Sequence, residues 1–236
     1  LSLHDALPIS KDNSVTINIK ELVAKTENQQ KLIDSLETKT CIVAKGASGV
    51  GKSYLCGAFA ARLFLQRKIE KIVITRPTQG ITNKTIGLLP GDCDTKMAQW
   101  VGPLIAVLKE YLGESLFELA LKREQIIMQP LESIRGQSYN NCIVLIDECQ
   151  NLEIAESKAI ITRIGENSKV VFMGDTFQSD LKHENGLNFL IDGIKSNEEI
   201  SSYSSIIEFT PEDIVRSGLV KAWVKYLYYN KAAQLM

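Results

Sequence analysis

The chain has 236 residues, 44% of them hydrophobic, enough to bury the core of one domain. Its 27 Lys+Arg against 28 Asp+Glu exclude a uniformly basic coat for nucleic acid, though a local basic groove is still open to it. No apolar run reaches the ~18 residues that span a bilayer, no leader pattern opens the chain, and five cysteines without C-x-x-C spacing speak against a disulfide framework or a zinc site and for a reducing cytosol.

Residues 1–21 read as a polar tail, whose first ten, LSLHDALPIS, lack any periodicity tying them to the rest of the chain and are set aside as an artefactual scar. Residues 22–236 read as a single domain. A helix is expected over Glu27–Leu36, with Thr26 as its N-cap. Gln29 has two readings: capping-box partner of Thr26, or adenine reader, since its amide offers both donors and an acceptor shortly before a phosphate loop.

That loop follows a short apolar strand, Cys41–Ala44, and leads into a helix, Tyr54–Arg67. Gly46, Gly51, Lys52 and Ser53 stand at the G-x-x-x-x-G-K-[ST] spacing in the strand–loop–helix context that the motif requires. Bare backbone at Gly46, Gly49 and Gly51 lets N–H groups meet phosphate oxygens, and the helix N-terminus adds partial positive charge. The nucleotide-binding stretch is therefore Gly46, Ala47, Ser48, Gly49, Val50, Gly51, Lys52, Ser53 and Tyr54. Lys52 neutralises the β- and γ-phosphates, and Ser53 offers its hydroxyl to Mg²⁺.

A second strand, Lys71–Thr75, ends in Arg76-Pro77. Strands alternating with helices imply a parallel sheet, with function gathered beyond the C-terminal strand ends. Arg76 is either a nucleotide-side residue or a solvated loop arginine. Thr78–Asp94 reads as a long binding loop, and Thr95–Leu112 as a helix kinked or split by Pro103, with Trp100 in the core or stacked on a base. A helix over Leu116–Lys122, a strand over Gln125–Gln129 and a turn carrying Arg135 follow.

The second strong motif is NCIVLIDECQN, Asn141–Asn151. Ile143–Ile146 reads as a strand buried on both faces. Asp147 at its end is placed to hold Mg²⁺, and Glu148 to polarise the attacking water as general base. A helix over Leu152–Ile164 with Gly165 as its cap, and a strand over Lys169–Met173, come next. Asp175 and Gln178 follow where a γ-phosphate sensor stands. A helix (Gly186–Lys195), a strand (Ser205–Phe209) and helices from Pro211 close the chain, the last with Trp223, Tyr226, Tyr228 and Tyr229 as packing or oligomer contacts.

The acidic pair chooses among reactions. A small-molecule kinase has no use for a water-activating carboxylate there, and no N/T-K-x-D is present to read guanine, so ATP hydrolysis with Mg²⁺ is the expected chemistry.

These segments together resemble the PhoH family of P-loop ATPases, itself similar to the first motor domain of superfamily-one helicases. The matches are TENQ (Thr26–Gln29), GASGVGKS (Gly46–Ser53), TRP (Thr75–Pro77), GLLPGD (Gly87–Asp92), IRG (Ile134–Gly136), DECQN (Asp147–Asn151), TRIG (Thr162–Gly165), MGDTFQ (Met173–Gln178) and DIVR (Asp213–Arg216), in family order. The resemblance implies a RecA-like P-loop NTPase, a three-layer αβα sandwich with a mostly parallel central sheet. It also implies ATP and Mg²⁺ as ligands, a cytoplasmic protein, RNA or single-stranded DNA as partner through Arg76 and Arg135, and a ring homo-oligomer, a hexamer. With one motor domain only, a neighbouring subunit has to supply the arginine that helicases take from a second one. Arg216, Arg163 and Arg135 are the candidates in that order.

Overall fold

Six short runs rich in Ile and Val become the strands of one sheet: β1 (Cys41–Lys45), β2 (Lys71–Thr75), β3 (Ile126–Met128), β4 (Cys142–Ile146), β5 (Lys169–Gly174) and β6 (Ser204–Glu208). Residues 19–77, 101–134, 136, 138–175 and 185–234 are described in the computed structural model. The strand order is β3-β2-β4-β5-β1-β6. All pairings are parallel, with Ile42 opposite both Val171 and Ser205 and Ile72 opposite Ile143.

Alternation along each strand divides the core in two. Ile42, Ala44, Ile72, Ile74, Ile143, Leu145, Val171 and Met173 face one side. Cys41, Val43, Val73, Val144, Ile146, Val170 and Phe172 face the other. The first side is covered by α1 (Glu27–Thr38), α2 (Lys52–Leu65), α3 (Gly102–Leu112) and α4 (Glu114–Lys122), through residues such as Leu32, Phe59, Leu104 and Phe117. The second is covered by α5 (Ile154–Ile161) and α6 (Gly186–Ser196), through Ile160, Leu187 and Ile194. The result is the RecA-like αβα sandwich, with a sheet that is parallel throughout its described strands. A short α7 (Glu198–Tyr203), which the sequence did not announce, leads into β6, and α8 (Gly218–Gln234) ends the described chain.

Several local expectations change. Pro103 stands in the first turn of α3 and opens that helix, because its missing N–H costs nothing there; Thr95–Trp100 lie outside the described residues. Gly165 does not cap α5, whose cap is Thr162. It is a point of close approach instead: a Cβ there would fall 1.9 Å from Asn140 Oδ1. Pro211–Asp213 is a single 3₁₀ turn, and the helix proper begins at Gly218.

Parallel strands put all their C-terminal ends on one edge. The phosphate-loop motif after β1, the Asp-Glu pair after β4 and Gly174-Asp175 at the end of β5 therefore share that edge.

Candidate nucleotide site

The loop between β1 and α2 is shaped by glycine where its neighbours crowd it. Gly49 (φ +87°) and Gly51 (φ +94°) hold left-handed backbone that side chains resist. A Cβ at Gly51 would stand 3.0 Å from Gln29 Nε2, and one at Gly49 would stand 3.0 Å from Arg216 Cγ. The loop is thus gripped from two sides.

Gln29 is buried, and its amide is committed to the chain. Nε2 donates to the Val50 carbonyl at 2.9 Å, and Oε1 accepts the Lys25 N–H at 2.7 Å. Thr26 caps α1 by accepting the Gln29 N–H at 3.3 Å. The reciprocal capping-box bond is not made, because Oε1 takes the N–H one residue before the cap.

Lys52 folds back on the loop and donates to the carbonyls of Gly46 (2.6 Å) and Ala47 (2.9 Å). Burial pulls its pKa below the ordinary lysine value, while Asp175 and Asp147 pull it up. Those carboxylates arrive from the neighbouring strand tips. Asp147 is anchored through its N–H to the Thr75 carbonyl at 3.0 Å. Burial, then the charge of Glu148, pushes the Asp147 pKa up, and Arg76 and Lys52 oppose the rise.

Glu148 adopts left-handed backbone (φ 53°, ψ 39°), a strained conformation for a side-chain-bearing residue. Its Oε2 accepts from Gln150 Nε2 at 2.6 Å, and its Oε1 lies 3.9 Å from Arg76 Nη2. Arg76 is therefore a partner of the acidic pair and not a freely solvated loop residue.

Ser48, Gly49, Gly51, Lys52, Ser53, Tyr54, Asp147, Glu148, Asp175 and Gln29 line one cleft of about 650 Å³. Gly46, Ala47 and Val50 do not line it. Ala47 and Val50 are buried, and Gly46 is pressed by Phe209, whose Cβ would lie 2.6 Å from a Cβ added there. Among the described residues no group of three or more His, Cys, Asp or Glu is arranged to hold a metal alone. The Asp147 carboxylate and Ser53 hydroxyl in one cleft instead fit Mg²⁺, which takes most of its oxygens from phosphate and water.

The arginines separate. Arg216 lines the cleft of its own chain, where its Cγ would lie 3.0 Å from a Cβ added at Gly49. The cause is the Val215 N–H, which bonds the Gly49 carbonyl at 3.2 Å and draws the segment in. Arg163 does not reach the cleft. It lies just beyond α5, beside the approach to β4, with Nη1 on the Ala159 carbonyl at 3.0 Å and its own carbonyl accepting the Tyr139 N–H. Gln178 and Arg135 lie outside the described residues.

Of the far wall of the cleft, the sequence named only Tyr54. Tyr54 meets Tyr111 edge-on (6.3 Å between ring centres), Lys20 pairs with Glu110 and lies over the Tyr111 ring, and the Tyr54 hydroxyl donates to Glu110 at 3.3 Å. Nothing in the spacing of residues 20, 54 and 111 announces this meeting. Gln150 was missed as well, although its place directly after Asp147-Glu148-Cys149 was the available signal.

The PhoH-like protein family matches residues 21–228 of the chain. The chain is 32% identical over 219 residues to Protein PhoH of Escherichia coli strain K12, covering 91% of this chain and 60% of that one. It is 32% identical over 203 residues to the PhoH-like protein of Bacillus subtilis strain 168, covering 85% and 62% respectively. The chain thus spans about three-fifths of the length of these curated relatives. Among solved structures, the large terminase of a thermophilic bacteriophage aligns with a TM-score of 0.48 and 11% identity, over 84% of this chain and 49% of that one.

Proposed function

Because the chain belongs to the PhoH-like protein family, we propose that it binds ATP with Mg²⁺ and hydrolyses it, coupling the reaction to RNA or single-stranded DNA. The observation that carries the reading is the meeting of Lys52 with Asp147, Glu148 and Asp175 in one cleft. In it the loop N–H groups and Lys52 bind the triphosphate, replacing the Gly46 and Ala47 carbonyls that now hold the ammonium. Asp147 and Ser53 hold Mg²⁺, which when bound offsets phosphate charge. Glu148 takes the proton of the water that attacks the γ-phosphorus, as the bond from that phosphorus to the β-phosphate oxygen breaks and ADP leaves. The tyrosine wall receives the adenine, beside Gln29, whose amide stays bonded to Val50 and Lys25.

Arg76 suggests how a polymer communicates with the general base. A nucleic-acid phosphate that draws the guanidinium away from Glu148 alters the carboxylate's surroundings directly. The reducing cytosol suits the four described cysteines, all buried and unbridged, and no described helix is long and apolar enough to cross a membrane.

The test is ATP turnover with and without RNA or single-stranded DNA, in the wild-type chain and in Glu148→Gln. Turnover should rise with nucleic acid and fall about 10²–10⁴-fold in the variant, with ATP binding retained. Turnover by Glu148→Gln at the wild-type rate would remove the general base from the reading.

One observation favours a second reading, nucleotide-gated self-assembly into a ring. On α8, Val224 packs against the core. The opposite stripe exposes Leu219 (71%), Trp223 (57%), Tyr226 (60%) and Leu227 (60%) at helical spacing. A hexamer with Arg163 reaching a neighbour's cleft belongs to this reading, and sedimentation with and without ATP tests it.

A further inference from the structure

Gln150 is buried to 2% exposure, yet its side chain faces the two acidic strand tips of the site. Its Oε1 accepts the Asp175 N–H at 2.9 Å, and its Nε2 donates to Glu148 Oε2 at 2.6 Å. The orientation of the amide is fixed by chemistry: a backbone N–H only donates and an ionised carboxylate only accepts, so oxygen must face Asp175 and nitrogen Glu148. A carboxylate or a hydrocarbon at position 150 cannot make both bonds.

A second feature points the same way. Gly174 is the last residue of β5, and its backbone does not need glycine's left-handed freedom. A Cβ there would lie 2.7 Å from Gln150 Oε1, 2.7 Å from Cys149 Sγ and 3.0 Å from Gln150 N. The glycine leaves open the space through which the amide crosses from the end of β4 to the end of β5.

We propose that Gln150 is a positioning residue. Its amide cross-ties the general base Glu148 to the β5 tip at Asp175, and Gly174 is glycine to make room for that tie. The base sits on strained backbone, so its carboxylate depends on contacts of this kind to hold one direction. Through the tie, a shift of the β5 tip is passed to the atom that receives the water proton. The inference rests on the hydrolysis reading above.

The experiment uses the whole chain, with Gln150→Met, Gln150→Glu and Gly174→Ala, in the wild-type and Glu148→Gln backgrounds. Turnover (kcat) should fall about 10²-fold in each single variant, the cost of misplacing a reacting group by about 1 Å, while the dissociation constant for ATP stays within about twofold. In the Glu148→Gln background the same changes should cost nothing further, since Gln150 acts through Glu148. In the ATP-free chain, the Asp175 amide should exchange its hydrogen about tenfold faster or more in Gln150→Met, having lost its acceptor. Turnover at the wild-type rate in Gln150→Met, an ATP affinity that falls together with kcat, or a full additional loss in the Glu148→Gln background each overturns the proposal. A wild-type chain that turns over no ATP overturns the hydrolysis reading itself and this inference with it.

Discussion

The Val215 N–H donates to the Gly49 carbonyl at 3.2 Å, and the next side chain, Arg216, lies against the same glycine. The final segment of the domain is thereby tied to the backbone of the loop between β1 and α2. Any rearrangement of the loop on binding is felt at residue 215, just ahead of α8.

Arg216 should act within its own chain. Mixing Lys52→Ala subunits with Arg216→Ala subunits tests this. A finger supplied in trans restores turnover in the mixture, because the second chain's intact cleft can take its arginine from the first. An internal Arg216 leaves the mixture inactive, and that is the expected result of a steady-state phosphate-release assay.

Gly49→Ala should weaken ATP binding about tenfold or more, since it adds a Cβ to left-handed backbone at a cost of about 1–3 kcal/mol and presses on Arg216. Equilibrium titration with a fluorescent ATP analogue measures it. Wild-type affinity would show that the loop takes up the change without strain.

Asp213 should matter for stability. Its Oδ2 accepts from Asn28 Nδ2 (2.8 Å), Thr210 N (2.8 Å) and Thr210 Oγ1 (3.2 Å), joining the 3₁₀ turn to α1. Burial alone would raise its pKa, but the bonds from Thr26, Asn28 and Thr210 outweigh burial and hold it below the usual carboxylate value. A depressed pKa means stability that is present above the unfolded value of about 3.9 and lost as pH falls through the lower folded value. Asp213→Ala should therefore cost about 1–3 kcal/mol at pH 7, with the gap to wild type closing below about pH 4. Thermal melts across pH 3–7 would show it, and a gap independent of pH would count against the ionised bonds.

Which of these relationships could be read beforehand depends on their physics. Strands β1, β2, β4 and β5 were legible because each is a continuous apolar run ending in a chemically marked turn. That Lys52, Ser53, Asp147 and Glu148 meet in one cleft was legible because each pair sits within a short motif at the end of a strand. Tyr111 and Lys20 reach the cleft through folding alone, from positions whose local pattern announces no site. Gln29 was visible, but its commitment to Val50 was not, since that bond forms only once the loop closes over α1.

The described cysteines should be inert in the folded chain. Cys41, Cys56, Cys142 and Cys149 are all buried, and burial pushes each thiol pKa up, that of Cys41 to about 11. A thiol reagent at pH 8 should leave all four unmodified under native conditions and label them in denaturant. Fast native labelling of Cys149 would reveal opening beneath the acidic strand tip.

Charged residues on the outer stripe of α8 should break assembly while sparing the fold. Trp223→Glu with Leu227→Glu should leave the thermal midpoint nearly unchanged, because both side chains are exposed. A smaller sedimenting species is expected. An unchanged size would remove the stripe from the interface.

The strand that opens the nucleotide loop finds its hydrogen-bonding neighbours late. Among the described strands, β1, finished at residue 45, pairs with β5 and β6 alone, which begin at residues 169 and 204. On the ribosome it must therefore wait for more than a hundred further residues to be translated, with apolar side chains and unpaired amides on show. Such non-local closure slows folding, and a nascent chain halted before β5 is a natural client for chaperones.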